Sequence, residues 1–210
     1  MSLKKLLLNC LFPKQCYGCE ASKTWLCQKC FSKIKKYQGQ RPRYLDDSQD
    51  FIIAGEYSDL VLKEIIQAFK FNFNTELVIP LTALLYSKLD LKTLNKNCLI
   101  IPIPLHKKRQ AWRGFNQSEL IAYELSKLTG WTISKDLIKD KKTKEQAGLK
   151  EVERLSNQTG VFSWKGANLT GQNIILLDDI ITSGATINQA ALILKQAGAS
   201  QIIAMAVAKG

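Results

Sequence analysis

Two adjacent carboxylates, Asp178 and Asp179, close an apolar run. Two apolar residues follow them, then Thr182-Ser183-Gly184-Ala185-Thr186. Hydroxyls and free backbone N–H groups at the start of a helix suit a phosphate, helped by the positive end of the helix dipole. Gly184 removes a side chain where the backbone must approach the anion. The acids beside it suit sugar hydroxyls or Mg²⁺. A sugar phosphate would span such a turn. Thr, Ser and Gly before an apolar helix are also ordinary capping residues, so the pentapeptide alone decides nothing. An ATPase reading of the same strand requires a Gly-rich loop ending in Gly-Lys-Ser/Thr. The sequence lacks it, as it lacks GxGxxG.

Residues 101–117 read IPIPLHKKRQAWRGFNQ. A strand ending in prolines and leading into Leu105, His106, Lys107, Lys108, Arg109 and Arg113 brings positive charge to the same sheet edge. Phosphoryl chemistry needs such charge to stabilise a leaving pyrophosphate. Standing alone, the segment would read as an exposed basic loop. His106 is the single histidine, and a lone histidine is more often structural than catalytic.

Cys16-Tyr-Gly-Cys19 and Cys27-Gln-Lys-Cys30 are two CxxC knuckles separated by seven residues. Each lets two sulfurs reach one ion, and four thiolates match tetrahedral Zn²⁺ in a closed, structural site. A unit this small has too little core to fold unaided, so the metal would supply that energy. Disulfides are the alternative, disfavoured in a cytosolic chain. Cys10 and Cys98 are left over and read as buried apolar residues.

Residues 1–45 hold ten Lys/Arg and one acid, Glu20, whereas the remainder holds twenty basic and seventeen acidic residues, within a net charge of +12. A basic head on a balanced body points to a polyanion partner or to a solvated surface kept for solubility. Lys14, Lys23, Lys29 and Lys33, with Lys35 and Lys36, surround Tyr17, Trp25 and Phe31. Cations beside exposed rings can track a backbone and stack unpaired bases, with Trp25 the leading ring. The same rings could instead form a mini-core around the metal.

The elements that position these residues are legible from periodicity. The chain has 210 residues, 46% of them hydrophobic, enough for one core and a small appendage. Strands are expected at 51–57, 98–103, 173–177 and 201–207. Leu62, Ile65, Ile66 and Phe69 recur at helical spacing, and 75–90 also reads as helical, with Pro80 either starting or kinking it. Asn116-Gln-Ser-Glu119 has the pattern of a capping box opening a helix that stops at Gly130. A last helix is expected at 186–196. Residues 35–50 read as a linker or exposed loop, and 139–158, polar and long, as a lid or a disordered segment. Alternating strands and helices imply a largely parallel sheet covered on both faces. No stretch is long enough to span a membrane. The start, MSLKKLLLNCLF, reads as a short amphipathic helix rather than a signal peptide, which places the protein in the cytoplasm.

The block 174–186 resembles the phosphoribosyl pyrophosphate (PRPP) signature of type I phosphoribosyltransferases: apolar residues, two acids, two apolar residues, then Thr/Ser-Thr/Ser-Gly-Gly/Ala-Thr. The resemblance implies that Asp178 and Asp179 hold the ribose hydroxyls, that Thr182, Ser183, Gly184, Ala185 and Thr186 hold the 5′-phosphate, and that Mg²⁺ accompanies PRPP. The order of elements resembles the ComF family. PIPL followed by basic residues and RGFNQ is similar to it, as are Thr143, Gln146, Leu149, Glu153, Arg154, Asn157, Gly160 and Phe162. The family's cysteine module is also present here.

One departure is the Lys-rich stretch before Thr143, where many relatives carry Arg, a better bidentate phosphate clamp. The resemblance implies a basic zinc module at 1–45 and a phosphoribosyltransferase-like domain at 46–210. It also implies a role in natural transformation, handling imported single-stranded DNA beside other DNA-uptake proteins. The rivals are a working transferase acting on a small acceptor and a PRPP sensor without catalysis. No acceptor-binding motif is readable, so PRPP binding with slow or no turnover on free bases is expected.

Overall fold

The computed structural model describes residues 13–46, 49–91, 94, 97–139 and 161–210. The expected amphipathic start at 1–12 with Cys10, nearly all of the expected lid, and the family-pattern residues from Thr143 to Gly160 lie outside the described residues.

The strands in chain order are β1 (Asp50–Glu56), β2 (Cys98–Pro102), β3 (Thr132–Ile133), β4 (Leu137–Lys139), β5 (Phe162–Trp164), β6 (Asn173–Ile181) and β7 (Gln201–Lys209). Five of them form one parallel sheet in the order β1-β7-β6-β2-β3, and β4 pairs with β5 antiparallel. The helices are α1 (Gln28–Lys33), α2 (Leu60–Phe71), α3 (Val78–Tyr86), α4 (Lys107–Arg113), α5 (Gln117–Thr129) and α6 (Ala185–Gln196).

The period-two alternation of a strand sorts the core into two layers. Ile175 and Leu177 of β6, with Ile203, Met205 and Val207 of β7, face α2, α3 and α5 through Phe69, Leu81, Leu84, Ile121 and Leu125. Ile174 and Leu176, with Ile202, Ala204 and Ala206, face α6 through Ile187, Ala190, Ala191 and Leu194. Both faces of β6 and β7 are therefore apolar, as a parallel sheet under helices requires. Truncating one of these residues, such as Leu176, to Ala would cost about 2–5 kcal/mol.

The caps follow the sequence. Asn116 Oδ1 accepts from the Ser118 N–H at 3.0 Å, and Gly130 ends α5 with φ +76°. Pro80 is the third residue of α3, behind a 3-10 turn at Thr75–Leu77. That places it in the first turn of the helix, where a missing N–H is tolerated.

Three expectations are corrected. The basic loop after β2 is a helix, α4, capped by His106 and ended by Gly114 at φ +74°. Strand β6 does not end at Leu177 but runs through both acids to Ile181, because β7 continues to pair with it as far as Lys209. The presumed exposed linker is ordered against the body: the Tyr37 N–H donates to Ala54 O, Leu45 is buried, and the Tyr44 N–H donates to Ser183 O at 2.8 Å. Arg41 organises this segment by donating to the carbonyls of Asp46 and Gln49, its guanidinium 5.2 Å from the Phe51 ring. No helix of the described residues is long and apolar enough to cross a membrane.

Candidate functional site

Beyond Leu177, β6 has β7 on one side only, since β2 pairs with it no further than Pro102. Its open edge carries the two acids. The Ser118 hydroxyl, in the first turn of α5, donates to Asp178 Oδ1 at 3.1 Å. The Asp179 N–H donates to the same oxygen at 2.8 Å. Lys70, in the last turn of α2, lies 2.6 Å from Asp179 Oδ2. Burial, above all, and the Asp179 charge push the Asp178 carboxyl up to about 7, against the pull of the Asp179 N–H, Lys70 and Ser118.

Cations converge from two further elements. Arg113 donates through Nη1 to Gln117 Oε1 at 3.0 Å. Burial lowers its pKa, while the Asp179 charge raises it and Arg109 adds to the lowering. Lys139, on β4, is lowered by burial, raised by Asp178 and lowered again by Arg109. Arg109, Arg113 and Lys139 therefore share one electrostatic neighbourhood with the acids. Lys107, Lys108 and Arg109 are exposed on α4. His106 Nδ1 accepts from the Lys108 N–H at 3.2 Å, so the lone histidine caps the helix that carries these charges.

The Thr182–Thr186 turn leads straight from β6 into α6. Gly184 is the N-cap of α6, with φ +89° and no side-chain cap. Gly184 offers no side chain to the first-turn N–H groups, and the Ala185 N–H makes only a long contact of 3.5 Å with Ser183 Oγ. Thr182 and Thr186 are exposed. A Cβ on Gly184 would meet Leu45 N at 3.1 Å and Pro42 Cβ at 3.3 Å. A bulkier residue there would press on the 42–45 segment.

Sequence reasoning missed Lys70, Ser118 and Lys139. Ser118 sits inside the capping motif, where its hydroxyl looks redundant. Lys70 meets Asp179, and Lys139 comes within electrostatic range of Asp178, only through the packing of α2 and β4, which no local spacing signals.

At the other end of the chain, the sulfurs of Cys16, Cys19, Cys27 and Cys30 lie within 4.8 Å of one another. Cys19 and Cys27 Sγ are 3.6 Å apart, and the described cysteines form no disulfide. A tetrahedral Zn–S distance of about 2.3 Å places sulfurs about 3.8 Å apart, which this cluster fits. The first knuckle turns at Cys16–Glu20, and α1 sets Cys30 one turn beyond Cys27. Gly18 is needed for close approach, because a Cβ there would stand 2.7 Å from Cys30 Sγ. Burial and the three neighbouring thiols hold the Cys30 thiol up at about 12. Four adjacent thiolates need a cation to coexist, and a metal such as zinc could be held there.

The head rests on the body. Ile34 belongs to the core, and Tyr17, Trp25, Leu26 and Phe31 pack against it. Trp25 is half-buried, its Nε1–H donates to Glu76 Oε2 at 2.9 Å, and Lys14 pairs with the same carboxylate. The rings expected to line an exposed stacking surface therefore serve chiefly as the joint between head and α3. Lys23, Lys29 and Lys33 are exposed around it. Lys14, Lys23, Trp25 and Phe31 line a cleft of about 660 Å³ together with Val78 and Ile79 of α3.

The family model described as phosphoribosyl transferase domain matches residues 113–210, which include the acid pair and the turn. The chain is 32% identical over 196 residues to competence protein ComFC of Bacillus subtilis, covering 82% of this chain and 79% of that protein. It is 30% identical over 199 residues to competence protein F of Haemophilus influenzae, covering 89% and 86%. It is also 30% identical over 105 residues to the DNA utilization protein YhgH of Escherichia coli K12, covering 49% and 45%. With a phosphoribosyltransferase-type sheet, a four-cysteine cluster and relatives aligned over most of its length, this chain belongs to the ComF family of competence proteins.

Proposed function

We propose that the protein binds PRPP at the open edge of β6 and handles single-stranded DNA during DNA uptake. The observation that carries the PRPP reading is the convergence of the acid pair, an uncapped Gly-initiated helix and the cations of α4 and β4 at one sheet edge. Asp178 and Asp179 hold the ribose hydroxyls, and Thr182, Ser183, Gly184, Ala185 and Thr186 hold the 5′-phosphate. The pyrophosphate faces Leu105, His106, Lys107, Arg109 and Arg113. Among the described residues, the cysteine cluster is the one group of three or more metal-ligating side chains. Two carboxylates alone make a poor cage for Mg²⁺, which binds through one or two carboxylates plus phosphates. In this reading Mg²⁺ enters on the pyrophosphate.

Residues 1–45 form the basic module, held by structural Zn²⁺ at Cys16, Cys19, Cys27 and Cys30, on a phosphoribosyltransferase-like body at 46–210. Lys23, Lys29 and Lys33, with Lys14 and Trp25 at the cleft, track the DNA backbone in the cytoplasm. The names of the relatives, competence protein and DNA utilization protein, support this role. The test is to bind PRPP and a single-stranded oligonucleotide separately to two variants. Asp178→Asn with Asp179→Asn is expected to lose PRPP and keep DNA. Lys23→Ala with Lys29→Ala and Lys33→Ala is expected to do the reverse. Loss of neither ligand from either variant would refute the assignment.

A further inference from the structure

Three large rings stand out of the body beside the acid pair. Phe71 is 48% exposed, Phe73 50% and Trp112 62%. The Trp112 ring centroid lies 6.3 Å from that of Phe71 and 6.1 Å from that of Phe73. The interplanar angles are 55° and 62°, tilted and edge-to-face, so no two of the rings stack in parallel. They come from two elements, the end of α2 with the residues after it, and α4. Their juxtaposition is tertiary, and the sequence does not show it.

This patch is built and does not look like leftover surface. Phe73 adopts φ +54°, a left-handed conformation that a bulky side chain rarely takes, and its ring is nonetheless held outward. Burial cannot repay that strain, because half of the ring faces water. Phe71 is backed on one side by the Arg113 guanidinium, 5.2 Å from its centroid. Phe71 follows Lys70, the residue paired with Asp179. Arg113 also interacts electrostatically with Asp179, so the patch lies on the α2–α4 side of the acid pair.

Charge selects the occupant. Lys108 and Arg109 precede Trp112 by four and three residues on α4, which puts them on its face of the helix. Both are exposed, as is Lys107. Residues 91–118 contain no Asp or Glu. Half-exposed rings rimmed by cations, with no acid on α4 or its flanks, suit a polyanion that carries flat rings, which is a single-stranded nucleic acid. A protein partner covering this patch would have to bring its own anions to the rim. Trp25 is the poorer stacking platform, being half-buried with its N–H committed to Glu76.

We infer that Phe71, Phe73 and Trp112 form a base-stacking site for single-stranded nucleic acid, placed next to the acid-pair edge of β6. The inference rests on the single-stranded DNA role proposed above and gives that role a second surface, where the base would lie beside the sugar-phosphate site.

The experiment measures affinity for oligo(dT) and for an abasic phosphodiester oligomer of equal length. It compares the full chain with Trp112→Ala, Trp112→Phe and Phe73→Ser. Wild type is expected to prefer the oligo(dT). Trp112→Ala and Phe73→Ser should each lower oligo(dT) affinity about tenfold. Abasic binding should stay unchanged, and Trp112→Phe should retain most of the preference. Equal oligo(dT) affinity in wild type and Trp112→Ala would overturn the stacking site and leave the DNA role standing. No oligonucleotide binding by wild type would overturn both. A wild-type dimer that Trp112→Ala splits, with oligo(dT) affinity unchanged, would reassign the patch to self-association.

Discussion

Lys70 Nζ lies 2.6 Å from Asp179 Oδ2, with the two side chains only 15% and 13% exposed. The last turn of α2 thereby supplies the counter-charge to the second acid of β6. Breaking a buried pair from one side strands the other charge, at a cost of about 3–5 kcal/mol. Lys70→Met is accordingly expected to destabilise the protein by about that much at pH 8, measured by urea unfolding. The loss should shrink toward pH 5, where the acid pair can take up a proton.

Asp178 gives the second prediction. Its carboxyl rises from 3.8 to about 7 in the folded chain. The folded state therefore binds more protons than the unfolded state between those values, and stability falls as pH rises through that window. The penalty is absent below about pH 4 and complete above about pH 7. Asp178→Asn keeps an acceptor for Ser118 and removes the charge. It should stabilise the fold by about 2–4 kcal/mol at pH 8 and by almost nothing at pH 4, while PRPP binding is lost. Denaturant midpoints across pH check the sign.

The cysteine cluster should hold one zinc per chain by elemental analysis. A unit this small was expected to stand or fall on its metal alone, yet Ile34 lies in the body core and Trp25, Leu26 and Phe31 pack against it. Cys16→Ser is therefore expected to lower the Tm of the whole chain, on the order of 10 °C, and not merely to melt the head. An unchanged Tm in the variant or after chelation would contradict a structural metal.

Oligonucleotide binding by the head should weaken with salt, because each neutralised phosphate of a single strand contributes a slope of about −0.7. Replacing Lys23, Lys29 and Lys33 by Ala should reduce the slope by about 2. Trp25→Ala should lower Tm together with affinity, since its N–H is tied to Glu76.

Much of this site was legible because its parts are local. The acid pair, the Gly184 turn, the Asn116 cap and the two knuckles are each read from a few consecutive residues. So was the parallel sheet, whose central strands β6 and β7 are apolar on both faces. What escaped depends on contacts distant in sequence. Lys70 reaches Asp179 across more than a hundred residues, β4 brings the Lys139 charge within electrostatic range of Asp178, and Tyr44 meets Ser183 by folding a polar segment back over the turn. Helix α4 was missed because its seven residues bury none of their side chains, which leaves no apolar periodicity to read.

The most direct measurement is calorimetric titration of PRPP into wild type and into the Asp178→Asn, Asp179→Asn double variant, with and without Mg²⁺, followed by pyrophosphate release across a panel of free bases. Saturable binding by wild type that strengthens with Mg²⁺, absent from the folded double variant, is expected, with slow or no release. Equal PRPP affinity in both proteins would contradict the assignment of the β6 edge as the PRPP site.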